Sequence, residues 1–195
     1  MQHLSRFYVR QKITLMVNRY EIRAADAAGN EGEMIAFAQQ KRMSFKEQVT
    51  FYADESKTEA LFSFKARHGL DVRAEHDVFD QAGTAIGWFK KDFGASLLRS
   101  TWHVRYSGVE VTGQERSQGI AILRRIWDFI PFLGEVWIPF VFHFDFVDKA
   151  TGETVMSSQR QISVRDRYTI DVPDERLDFR LAASLAVALD ALQSR

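Results

Sequence analysis

Leu177-Asp-Phe-Arg-Leu-Ala-Ala-Ser-Leu-Ala-Val-Ala-Leu-Asp-Ala-Leu-Gln193 decides the fold. Leu177, Leu181, Leu185 and Leu189 recur every four residues, and Leu192 follows at three. The opposite side carries Ala182, Ala183, Ala186 and Val187, and from Leu181 to Leu189 only Ser184 is polar. A helix that is apolar all round has to be buried all round. Asp174, just after Pro173, is placed to cap it, which predicts a helix over about 174–193. Such a helix of ~18 residues is roughly 27 Å long, about the height of a small barrel with tilted strands. Its apolar core is too short to cross a bilayer, which takes ~20 residues.

Working back from the helix, the pattern switches to period 2. In the clearest strand, Phe140, Phe142, Phe144 and Phe146 face one way, and Val141, His143, Asp145 and Val147 the other. Phe62 and Phe64 alternate with Leu61, Ser63 and Lys65. Val72, Ala74, His76 and Val78 oppose Arg73, Glu75 and Asp77, which makes His76 a core histidine. Leu98, Ser100, Trp102, Val104 and Tyr106 oppose Arg99, Thr101, His103 and Arg105. About eleven strand candidates precede residue 173 by this criterion. Three turns share one chemistry: Asp26-Ala-Ala-Gly29, Asp80-Gln-Ala-Gly83 and Asp148-Lys-Ala-Thr-Gly152. In each, Asp can accept hydrogen bonds from its own turn and Gly supplies a positive φ. Ser44-Phe-Lys-Glu47 matches a capping box and suggests one short helical turn. A meander of hairpins followed by one helix that must be surrounded implies a closed antiparallel β-barrel around its own C-terminal helix. The whole chain, 1–195, reads as one such domain, with strands over about 10–172.

Composition narrows the function. The chain has 26 basic and 26 acidic residues, which leaves no basic surplus for phosphate-driven nucleic-acid binding. It has no Cys, so thiol nucleophiles, disulfides and Cys zinc sites are excluded. No apolar run resembles a signal peptide or a membrane span, which makes a cytoplasmic protein the default expectation. Nucleotide loops, a nucleophile elbow and a His-Glu-x-x-His helix are absent. The expectation is therefore a protein that is not an enzyme and uses no cofactor.

Three features carry a family resemblance. The first is Tyr20-Glu-Ile-Arg with Asp26-Ala-Ala-Gly-Asn30. The second is Val78-Phe-Asp-Gln-Ala-Gly-Thr-Ala-Ile-Gly87, followed by Phe89-Lys-Lys-Asp-Phe and Trp102-His-Val. The third is the late Asp-to-Gly hairpin ahead of the hydrophobic helix. Their order over residues 10 to 192 resembles the superfamily that joins tubby C-terminal domains, phospholipid scramblases and LURP-one-related proteins. The resemblance implies a twelve-stranded barrel around a central helix and a non-enzymatic, lipid-associated or regulatory role. Two departures stand out: the turn around Ala53-Asp-Glu-Ser-Lys57 lacks its Gly, and no EF-hand-like ligand run occurs.

Candidate binding residues fall in two groups. Lys90 and Lys91, with Arg99 and Arg105, form a candidate basic patch for a lipid phosphate; an ordinary solvated strand face is the simpler reading. Arg116, Arg124, Arg125 and Trp127 lie in the stretch 115–134, where Ile120, Leu123, Ile126 and Ile130 approach helical spacing. Three readings stay open for that stretch: packing over the barrel mouth, self-association, or an interfacial helix with Trp127 at headgroup depth. Arg6, Arg10, Lys12 and Arg19 read as a frayed basic terminus joining the first strand. His143 and Asp145 share a strand face, and a polar surface pair is preferred there over a metal site. The expected partner is an anionic phospholipid or phosphoinositide surface, met peripherally at the inner face of the membrane. The alternative is a protein-interaction or self-associating scaffold with no lipid preference.

Overall fold

In a computed structural model of the chain, residues 2–13, 17–41, 48–67, 75–92, 101–116, 143–161 and 167–193 are described. They form twelve strands and one helix. The strands are β1 (Arg6–Ile13), β2 (Val17–Ala25), β3 (Glu31–Lys41), β4 (Gln48–Tyr52), β5 (Ala60–Ala66) and β6 (His76–Asp80). They continue with β7 (Ala85–Asp92), β8 (Thr101–Tyr106), β9 (Val109–Glu115), β10 (His143–Asp148), β11 (Thr154–Gln161) and β12 (Arg167–Asp171). The helix α1 is Phe179–Gln193. Every strand pairs antiparallel with its sequence neighbours, and β1 pairs with β12 to close the barrel. Closure leaves no strand edge exposed.

The alternating pattern sets the two faces. Phe7, Ile22, Ala36, Phe51, Phe64, Val78, Phe89, Val104, Val111, Phe146, Met156 and Ile170 all point inward and are 3% exposed or less. They surround Leu177, Leu181, Leu185 and Leu189, together with the small residues Ala182, Ala183 and Ala188. Full burial of one Leu contributes about 1.5–3 kcal/mol. Two glycines shape the interior. A Cβ on Gly87 would sit 2.7 Å from the Leu181 side chain and from the Arg105 carbonyl, so only a glycine leaves room for the helix there. The Phe146 ring lies over Gly113, where a Cβ would come within 2.1 Å of it.

The Asp turns are built as the sequence predicts. Asp26 Oδ1 accepts from the amides of Ala28 (2.9 Å) and Asn30 (2.7 Å). Asp80 Oδ1 accepts from Ala82 (3.0 Å) and Thr84 (2.8 Å), and Asp148 Oδ1 from Ala150 (2.8 Å). Gly29, Gly83 and Gly152 have φ of 79°, 81° and 77°. The turn that lacks Gly follows the same plan: Ser56 N donates to Asp54 Oδ1 at 2.7 Å, and Lys57 takes the positive φ, 59°. Because strand direction alternates, all four turns lie at one end of the barrel, with the tight Ser107-Gly108 connection and the start of α1. We call this the tight-turn end.

Two expectations are corrected. The helix begins at Phe179, not near 174. Asp174 caps a separate turn through the Arg176 amide (2.9 Å), while Asp178 caps the helix through Arg180 N (3.0 Å). Two cap residues four apart looked like one start in sequence. The N-terminal segment is also not a frayed arm. Gln2 N donates to Asp178 Oδ2 at 3.1 Å, Phe179 N donates to the Gln2 carbonyl at 2.8 Å, and β1 closes the barrel. The expected turn at 44–47 and the strand residues 72–74, 98–100 and 140–142 lie outside the described residues.

Leu185 is 1% exposed. Leu185→Asp buries an unpaired charge and is expected to abolish folding, read as loss of the cooperative urea transition. Lys57→Gly should act the other way. It relieves a positive φ that costs a side-chain-bearing residue about 1 kcal/mol, and thermal unfolding should shift upward by a few degrees.

Candidate functional site

Two regions concentrate chemistry: the interior at the end opposite the tight turns, and the outer wall formed by β5 to β9. The interior end is polar. Asp190, near the C-terminus of α1, accepts from Gln11 Nε2 (2.6 Å), Tyr20 Oη (2.8 Å) and Tyr168 Oη (2.5 Å). A carboxylate at a helix C-terminus opposes the helix dipole, and three donors offset that cost. Burial and the neighbouring Asp190 push the Tyr20 phenol well above its ordinary range, so it stays a donor. His76, buried as expected, stacks on Phe89 at 5.3 Å and meets the edge of Phe64. The interior is therefore apolar around most of α1 and polar around its last turn.

The outer wall is set by register. Lys65 lies opposite Asp77, Asp77 opposite Trp88, Trp88 opposite Arg105, and Arg105 opposite Glu110. One step along, Lys90 lies opposite His103, and His103 opposite Thr112. Arg67 binds Asp77 through two bonds (2.7 and 2.6 Å), also pairs with Glu75, and places its guanidinium 5.8 Å from the Trp88 ring centroid. His103 Nε2 lies 3.5 Å from Asp92. Lys149 pairs with Glu110 at 3.7 Å. Lys65, Lys90 and Arg105 have no ion-pair partner among the described residues, and they surround a half-buried Trp88.

The β1–β2 wall contrasts with this one. Its basic side chains are matched: Arg6 with Asp171 (2.5 Å), Arg10 with Glu31, Lys12 with Glu21, Arg19 with Glu55 (3.5 Å) and Arg23 with Glu21 and Glu31. Lys12 and the nearby arginines hold the Glu21 carboxyl below its ordinary range although burial opposes them. Exposed pairs of this kind contribute at most about 1 kcal/mol each, but they do cancel charge.

The predicted site residues separate in space. Lys90 is on the outer wall. Lys91 points the opposite way, as the next residue of a strand must; it is 9% exposed, with Nζ 5.9 Å from the Trp102 ring centroid. The two lysines therefore do not form one patch. Arg116 is exposed and binds Asp145 bidentately (2.6 and 2.5 Å), so that carboxylate is taken by a guanidinium. Partial burial and Arg116 lower the His143 imidazole below its ordinary range. No cluster of three His, Asp or Glu suited to a metal occurs among the described residues. Arg99, Arg124, Arg125 and Trp127 lie outside the described residues. Sequence reasoning passed over Lys65 and Trp88 as site residues. Carrying the strand alternation across the β5–β8 register would have placed both on the same outer face as Lys90.

The tight-turn end carries the opposite charge. Asp26, Asp54, Glu55, Glu59, Glu153 and Glu175 are exposed there, against Lys57, Lys149 and Arg176. Asp174 is the centre of a network, accepting from Tyr106 Oη (2.8 Å) and from the Arg176 guanidinium (2.9 Å). Arg176 and Tyr106 hold its carboxyl down at about 2, while burial and Asp174 push the Tyr106 phenol upward.

A closed antiparallel barrel threaded by a central helix, with its charge sorted between a wall and an end, defines the structural class. A family model described as LURP-one-related matches residues 34–190, and the chain belongs to that family, within the tubby-like superfamily. No curated protein matches the chain. No helix among the described residues is long and apolar enough to cross a membrane.

The Asp174 network makes a pH prediction. Its folded value lies below the ordinary carboxylate value of 3.8, so its contribution is full above about pH 4 and is lost as pH falls through about 2. Asp174→Asn should lower stability at neutral pH by on the order of 1–2 kcal/mol. The acid side of its unfolding profile should become shallower between pH 4 and 2, as followed by circular dichroism.

Proposed function

We propose that this LURP-one-related protein is a peripheral, non-enzymatic module that binds anionic phospholipid at the cytoplasmic face of a membrane. The observation that carries this reading is the outer wall of β5 to β8, where Lys65, Lys90 and Arg105 form no ion pair among the described residues and lie on the same face as Trp88. Lys and Arg supply charge-assisted donors to phosphate, and a tryptophan among them suits the headgroup region. Arg99, Arg124, Arg125 and Trp127 extend the same reading through the sequence alone, whereas Arg116 is taken by Asp145. The family resemblance to phospholipid scramblases supports a lipid surface as the partner. A scrambling activity is not part of the proposal, because α1 is enclosed by the barrel.

Liposome co-sedimentation tests it. Salt-sensitive binding is expected to vesicles that contain phosphatidylserine or phosphoinositide, and none to pure phosphatidylcholine. Each basic residue near an anionic surface contributes about 1 kcal/mol, so Lys65→Gln/Lys90→Gln/Arg105→Gln should weaken partitioning roughly a hundredfold. Equal binding by the folded triple variant would assign the contact elsewhere, with Trp127→Asp/Arg124→Glu/Arg125→Glu as the next variant. Failure to bind any vesicle would overturn the lipid reading in favour of a protein-interaction or self-associating scaffold.

A further inference from the structure

The residues that close the turns also sort the charge along the barrel. Asp26, Asp54, Asp80 and Asp148 accept amide hydrogen bonds within their own turns, so the hairpin geometry itself requires acids at this end. Hydrogen bonds from Ser56 hold the Asp54 carboxyl below its ordinary range. The formal charge of the whole chain is zero, so acid concentrated at one end leaves a basic excess elsewhere. Part of that excess is the unpaired set on the outer wall. On the β1–β2 wall the corresponding bases are matched by Asp171, Glu31, Glu21 and Glu55.

From this asymmetry we infer that the barrel meets an anionic membrane side-on, through the outer wall of β5 to β9, with its tight-turn end held away from the surface. The inference rests on the lipid-binding reading above and adds an orientation to it. An anionic surface attracts Lys65, Lys90 and Arg105 and repels Asp26, Glu153 and Glu175. Both effects act within about a Debye length, ~8 Å at physiological salt. Lys65 and Lys90 lie toward the ends of β5 and β7 that are remote from the tight turns, whereas Arg105 lies beside one. The patch thus runs diagonally across the wall, and repulsion at one end tips the axis rather than laying it flat.

The chain has no cysteine, so single-cysteine labels can be placed without altering other positions. Thr112→Cys reports the wall beside His103, and Ser56→Cys reports the tight-turn end. Each variant would carry a nitroxide and be mixed with phosphatidylcholine vesicles containing phosphatidylserine. The readout is collision with a water-soluble relaxant. Accessibility of the Thr112→Cys label is expected to fall severalfold on binding, while that of Ser56→Cys stays at its free-protein value. Binding with Ser56→Cys shielded and Thr112→Cys exposed would overturn the orientation and leave the lipid reading standing. If neither labelled variant nor the parent protein sedimented with the vesicles, the lipid reading would fall, and the orientation with it.

Discussion

Everything in this protein is arranged around the enclosure of one helix. The apolar circumference of α1 cannot meet water at any angle, and twelve strands supply the wall that it requires. That demand fixes the inward residue on every strand, the thinning of the wall at Gly87 and the ring laid over Gly113. It also fixes what the interior cannot do. The space a β-barrel could give to a ligand is taken by leucines and phenylalanines over most of its length. A buried polar cluster forms where α1 ends, around Asp190 and its three donors.

On the outer surface, the important quantity is not the number of charges but how they are matched. Among the described residues, β1 and β2 carry Arg6, Arg10, Lys12, Arg19 and Arg23 outward, and β5 to β8 with the residue after β5 carry Lys65, Arg67, Lys90 and Arg105. The two walls differ in whether these side chains are ion-paired. On β1 and β2, Lys12 and the arginines are neutralised locally by Glu21, Glu31, Glu55 and Asp171. On β5 to β8, Arg67 and His103 are ion-paired, whereas Lys65, Lys90 and Arg105 form no ion pair among the described residues. A surface pair of this kind adds little to stability. Its larger effect is to decide which wall presents an uncancelled field to a partner.

The fold was largely legible because its signals are local. A four-residue leucine repeat, an Asp followed by a Gly three or four residues on, and a period of two can each be read within a short window. Where a decision depended on geometry beyond that window, reading was harder. Lys90 and Lys91 are adjacent in sequence, yet strand alternation places one on the wall and the other against Trp102. Lys65 and Trp88 are far apart in sequence and are brought onto one face, either side of Asp77, only through the register of two strand pairs. Asp174 and Asp178 both carry cap chemistry, and only the chain path shows which one opens the helix. The turn without Gly kept its shape because the Asp supplies the hydrogen bonds and Lys57 accepts the strained backbone.

The order of elements along the chain has a further consequence for biogenesis. All twelve strands precede α1, so a growing polypeptide acquires its walls before the element they enclose. The hairpins can zip together locally, but the seam between β1 and β12 joins residues as far apart as Arg6 and Asp171. Gln2, at the very start of the described chain, is bonded to the first turn of the helix. Until that late segment is made, the nascent sheet presents its aromatic lining and two open edges to the cell. Barrel completion is thus a step of high contact order, since its seam joins residues from opposite ends of the domain.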